Sequence, residues 1–158
     1  MSQPIHENMY QGSAAWLPVI VLAVGGLTDA LYFTFAYYGR IRKARWVPEV
    51  LCAREGSSCV TVVQTPYARV FGVPNSVLGI LYYVAVIVWA AEYPGSALGQ
   101  AFFAIFTDTL IAMAADSVML AGYLIYALRR KLGVDCPFCY TAHAINAALL
   151  VLLIVARW

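Results

Sequence analysis

Cys136 and Cys139 enclose Pro137 and Phe138 at the point where a charged turn gives way to a long apolar run. The chain has four cysteines, and the other two, Cys52 and Cys59, lie in its one long polar loop. Sulfurs three residues apart at a helix start share one turn and can close a disulfide. The unpaired N–H groups of a helix N-terminus favour thiolate, so at least one sulfur of this pair should be unusually nucleophilic. Pro137 falls at the first helical position, where its missing N–H is least costly. Arg129, Arg130 and Lys131 lie just upstream and add positive potential, while Asp135 opposes it. The loop pair surrounds the polar, glycine-containing stretch 53–58 and suits exchange with a protein partner through mixed disulfides. Together, the two pairs can pass two electrons between water and lipid. The spacing is also compatible with inert structural disulfides or with a single four-cysteine zinc site. Zinc knuckles, however, place two to four residues between cysteines, and six separate Cys52 from Cys59.

The elements that must hold these sulfurs are membrane spans. The 158 residues are 63% hydrophobic and 11% charged, against about 25% charged for globular proteins. Spanning takes roughly 20 apolar residues, and four stretches qualify, at about Trp16–Tyr38, Ser76–Ala91, Leu98–Leu128 and Pro137–Ala156. Pro18 is expected near the start of the first, and Asn75 or Ser76 should cap the second. The third exceeds a bilayer and should tilt or project. Arg157-Trp158 reads as an interfacial anchor. Residues 1–15 are polar without a basic residue, unlike a signal peptide, so the first span should be retained. The expectation is an all-α membrane protein with one domain over residues 1–158, its four helices forming a bundle. Four spans put both termini on one side, and the loop 39–74 and turn 129–135 on the other. Both cysteine pairs then share one membrane face.

Within the spans, Asp29, Asp108 and Asp116 are costly carboxylates. Each reads either as part of a proton path or ligand contact, or as a carboxyl satisfied between helices or near an interface. Gly25-Gly26, Ala114-Ala115 and Gly122 read as close-packing positions. The net charge of +2 carries no electrostatic footprint for nucleic acid. No serine triad, His/Glu metal motif or glycine-rich phosphate loop is present.

The chain resembles the vitamin K epoxide reductase family, in a form closer to prokaryotic than vertebrate members. The resemblance rests on four spans, a loop cysteine pair after the first and Pro74-Asn75-Ser76-Val77-Leu78-Gly79 opening the second. Tyr123-Leu124-Ile125-Tyr126 in the third span and Cys136-Pro137-Phe138-Cys139 opening the fourth complete it. It runs from about Gly26 to the end. It implies a four-helix bundle around a quinone of menaquinone or ubiquinone type, with the cysteine loop over the pocket mouth and no metal. Cys139 would lie beside the quinone with Cys136 as its disulfide partner. Cys59 would relay electrons to Cys136, and Cys52 would meet a reduced thioredoxin-like partner. Asn75 matches an asparagine that hydrogen-bonds a quinone oxygen. Vertebrate members carry tyrosine four residues after the last catalytic cysteine, where this chain has His143. His143, one helical turn from Cys139, could donate to the second quinone oxygen or relay a proton, or could bond a neighbouring helix.

The function this implies is a quinone-dependent thiol oxidase for disulfide formation. The alternatives are a vitamin K quinone or epoxide reductase, and a non-enzymatic membrane protein with structural disulfides or a metal site. Arg40, Arg42, Lys43, Arg45, Arg54, Arg69, Arg129, Arg130 and Lys131 lie on the cysteine side and only Arg157 lies opposite. The positive-inside rule then turns the cysteines toward the cytoplasm.

Overall fold

The computed structural model describes residues 5–40, 62–70, 72–92, 100–133 and 136–157. Four long helices dominate: α1 (Ile5–Tyr37), α2 (Asn75–Glu92), α3 (Gln100–Tyr126) and α4 (Pro137–Arg157). Between α1 and α2 lie a 3₁₀ turn (Pro66–Ala68) and a small antiparallel ribbon, β1 (Arg69–Val70) with β2 (Val73–Pro74). Gly72, at φ +82°, turns that ribbon in a conformation that side chains with a Cβ rarely adopt.

All four helices are long and apolar enough to cross a membrane, over Trp16–Tyr37, Asn75–Glu92, Phe102–Leu132 and Pro137–Arg157. At 1.5 Å per residue, the 22 residues of the first span rise about 33 Å, close to the ~30 Å of a hydrocarbon core. The 18-residue second span reaches only about 27 Å and the 31-residue third about 46 Å. The helices are apolar around most of their circumference. Leu17, Val21, Val24 and Phe35 stay exposed on α1 while Val19, Ala23, Ala30 and Phe33 are buried. In water such a surface would aggregate; in lipid it is the solvated face. The chain is therefore a multi-pass, all-α membrane protein whose helices form a bundle.

α1 packs most extensively on α2 and also on α4, which in turn packs on α3. The main core joins Trp16, Val19 and Ala23 to Tyr82, Tyr83, Val86 and Trp89, with Leu110, Ala114, Leu149 and Leu153 closing it. Trp16 meets Trp89 edge-on at 4.9 Å, and Phe103 stacks on Trp89 at 5.8 Å. Trp89 Nε1 donates to Thr107 Oγ1 at 2.8 Å, which links α2 to α3 and satisfies a buried indole N–H. The Tyr83 hydroxyl donates to Asn146 Oδ1 at 2.7 Å and links α2 to α4. A Cβ at Gly26 would overlap the Tyr83 ring, so glycine is what lets α1 and α2 approach here.

Several expectations from sequence need correction. α1 begins at Ile5, so Pro18 lies inside the helix and not at its start. Asn75 does not cap α2, because its Oδ1 is buried without a hydrogen-bond partner and so accepts from no backbone N–H. The basic run is no open turn: residues Ala127–Leu132 continue α3 as a π-helical segment, which stops at Gly133 with φ 61°. Gly122 is not a packing position, since nothing lies within 4 Å of where its Cβ would be. Ala114, by contrast, is fully buried.

Candidate redox site at one end of the bundle

The end of α1, the start of α2, the end of α3 and the start of α4 meet around one cavity of about 170 Å³. One water occupies roughly 15 Å³ on this scale, so the space suits a ring-sized molecule. Most of the wall is apolar, with Phe33, Val63, Leu124 and Leu128 among its side chains. The polar groups are fewer: Asp29 and Tyr37 from α1, Tyr67 from the 3₁₀ turn, Asn75, Ser76 and Tyr83 from α2, and Cys139, His143 and Asn146 from α4. That pattern, apolar walls with a few convergent polar groups, is typical of small-molecule sites.

The α4 residues converge because of helical spacing. Cys139, His143 and Asn146 stand at i, i+4 and i+7, one stripe of a 3.6-residue helix. On α1, Asp29, Phe33 and Tyr37 repeat at the same four-residue step. α2 contributes Asn75 from its first turn, and Asn75 Nδ2 donates a long 3.5 Å bond to the Tyr67 carbonyl. Beside it, Ser76 Oγ lies 2.9 Å from the Thr34 hydroxyl, which fixes the first turn of α2 against α1.

The two cysteines of the motif look in different directions. Cys139 lines the cavity. Cys136 is fully buried in a separate cluster with Phe33, Ala36 and Val63, and Phe138 stacks on Tyr32 at 5.4 Å beside it. Among the described residues, no disulfide joins the two sulfurs. Cys136 immediately precedes α4, and its Sγ accepts the Cys139 N–H at 3.3 Å, the geometry of a side-chain N-cap. The Cys139 side chain, hydrogen-bonded to the Cys136 sulfur, is the largest influence holding the Cys136 thiol below its ordinary range. Burial and the Asp29 carboxylate act the other way, and backbone N–H groups of Cys139 and Phe138 add to the lowering. Two of the upstream cations meet aromatic rings. Arg129 Nε donates to the Tyr140 hydroxyl at 3.1 Å, and Lys131 Nζ sits 5.9 Å from the Tyr67 ring centre.

Of the residues singled out from sequence, Cys139, Asn75 and His143 therefore meet at one cavity, with Cys136 one turn away. Cys52 and Cys59 lie outside the described residues. Asp29 joins the cavity, whereas Asp108 pairs with Arg157 at 2.7 Å on the exposed surface, and Asp116 is exposed on α3. Sequence reasoning passed over Tyr83 and Asn146. Their signal was available for Asn146: a polar residue on the stripe already marked by Cys139 and His143. Among the described residues, no three His, Cys, Asp or Glu side chains are grouped to hold a metal ion.

A profile of the Vitamin K epoxide reductase family matches residues 17–154, which takes in the body of all four apolar helices and every cavity residue. Along 108 residues the chain is 32% identical to the thiol-disulfide oxidoreductase LTO1 of Arabidopsis thaliana. That alignment covers 64% of this chain and 27% of the plant protein, so the chain spans little more than a quarter of that relative. Because the family match runs through the whole helical bundle and not through one cysteine motif alone, the chain belongs to the vitamin K epoxide reductase family.

Proposed function

We propose that this protein is a thiol-disulfide:quinone oxidoreductase, a quinone-dependent thiol oxidase that supports disulfide formation. The observation that carries this reading is the opening of Cys139 onto an apolar cavity among membrane-spanning helices while its partner Cys136 is buried one turn away. The cavity fits a quinone head: its walls are apolar, and Asn75 and His143, residue types that can donate N–H to a quinone oxygen, line it. When bound, a quinone of menaquinone or ubiquinone type supplies an acceptor for two electrons and two protons. Asn75 and His143 would hold its two oxygens, with Cys139 as the sulfur nearest to it. A Cys136 thiolate held by its Cys139 neighbour is poised to close the Cys136–Cys139 disulfide as electrons leave through Cys139.

Electrons reach this pair by two thiol–disulfide exchanges. A reduced thioredoxin-like partner attacks the Cys52–Cys59 disulfide and is itself oxidised. Cys59 then attacks Cys136 of the Cys136–Cys139 disulfide and releases the Cys139 thiol; Cys52 attacks Cys59 in the mixed disulfide, which re-forms the Cys52–Cys59 disulfide and frees Cys136. Val63 packs against Cys136 and follows Cys59 by four residues. Four residues of extended chain cover at most about 14 Å, so this exchange is within covalent reach. The relay has a physical rationale: the partner is aqueous and the acceptor is in lipid. The Lys and Arg bias supports a slight lean of this face toward the cytoplasm, and labelling of Cys52 in intact cells by a membrane-impermeant thiol reagent would reverse that reading.

The test is partner-dependent quinone reduction in membranes, with each cysteine replaced in turn. Loss of turnover in all four variants is expected. Menaquinone, ubiquinone and vitamin K epoxide run side by side separate plain quinone reduction from the vitamin K or epoxide reduction that the family name brings with it. Bound zinc, or a loop disulfide inert to every reduced partner, would instead favour a structural role for the cysteines.

A further inference from the structure

Among the described residues, Asp29 is the one carboxylate on the cavity wall, and nothing in the thiol relay uses it. It is 8% exposed, and its Oδ1 is buried without a hydrogen-bond partner. Taking an ionised carboxylate out of water without pairing is expensive, and within a membrane span such a group marks function by default. Its surroundings are those of a reaction centre. The Asp29 carboxylate acts electrostatically on both Cys136 and Cys139 and on the Tyr83 hydroxyl of α2. Tyr32 on its own helix feels it too, and His143 faces the same cavity from α4. Among the described residues, no lysine or arginine lines the cavity to neutralise it.

We propose that Asp29 is a catalytic proton carrier between the cysteine thiols and the quinone. This rests on the thiol oxidase reading of the same site. In one turnover, Cys136–SH and Cys139–SH lose two electrons and two protons and form the Cys136–Cys139 disulfide. The quinone gains the same two electrons and two protons and leaves as the quinol. The Asp29 carboxylate takes a proton released from the thiols and delivers it to a quinone oxygen, and it ends the cycle as it began. The unpartnered Oδ1 leaves Asp29 an oxygen with no competing donor, available to accept a proton from a thiol. His143 reaches the same cavity from α4, so the two protons need not follow one route.

The experiment uses the full chain in lipid vesicles, with dithiothreitol as reductant and a short-chain menaquinone as acceptor. General acid–base groups contribute about 10²–10⁴ in rate. D29N and D29L should therefore lower kcat at least about tenfold while moving the quinone KM less than about threefold. D29E should recover part of the loss. D29L removes the buried polar group altogether, so a variant that folds is at hand even where D29N does not. A second readout needs no quinone. Redox-difference infrared spectra of the quinone-free protein, taken between its dithiol and disulfide states, should show a carboxyl band that D29N lacks. A kcat within about twofold of wild type in either folded variant, a loss confined to KM, or a carboxyl band that persists in D29N overturns the proposal. Wild-type protein that reduces no quinone at all overturns instead the reading on which the proposal rests.

Discussion

At the residue scale, the two sulfurs of the Cys136–Cys139 motif are unequal because the start of α4 treats them differently. Cys136 precedes the helix and collects hydrogen bonds; Cys139 enters the helix and opens onto the cavity. The Cys136 thiol is held below the ordinary value of 9.0, first by the Cys139 side chain. A depressed value means that the folded protein favours the thiolate more than the unfolded chain does. The stabilisation this brings is full above the ordinary value and is lost as pH falls through the lowered one. Replacing Cys139 with alanine removes the largest lowering influence. In reduced protein with Cys52 and Cys59 changed to serine, thiolate absorbance should titrate below a free cysteine, and C139A should move that titration upward. A downward or absent movement would contradict the assignment. The motif and its position were legible in the sequence. The direction each sulfur faces was implied only by resemblance, since spacing alone says that the two share a turn and not which neighbours each one meets.

At the element scale, α1 and α2 come together through Gly26 against Tyr83, and α2 meets α4 through the Tyr83–Asn146 hydrogen bond. Gly26→Ala forces the Tyr83 ring to move, and overpacking of this kind destabilises by about 1–3 kcal/mol. Y83F removes a hydrogen bond near the cavity and should destabilise by about 1 kcal/mol. Denaturation in mixed micelles measures both, and G26A with unchanged stability would show that the helices have room to separate. Four spans could be read from apolar length, but their ends could not. Residues 129–135 read as a turn because they open with three basic residues, yet the helix-forming stretch Ala127–Leu132 extends α3 as a π-helical segment. Asn75 looked like a cap because of its residue type. Its side chain instead lies at the cavity, a choice made by the neighbouring α1 and 62–70 segments that no local pattern records.

At the scale of the whole molecule, the bundle separates two tasks. Its far end is held by the Trp16–Trp89–Phe103 aromatic cluster and closed by the exposed Asp108–Arg157 pair. Its near end gathers the cavity and the cysteines. Neutralising Asp108 with asparagine should therefore leave quinone reduction unchanged, whereas D29N should not; equal losses in both would point to a general effect of span carboxylates. The three span aspartates were indistinguishable in the sequence, because burial depends on how each helix is rotated against its neighbours. Only Asp29 falls on the inward face of its helix. The central claim concerns Cys139, the sulfur at the cavity. Quinone reduction by vesicle-embedded C139A, supplied with a reduced thioredoxin-like partner and menaquinone, is its most direct measurement. The account predicts that turnover falls to background, while turnover at the wild-type rate would contradict it.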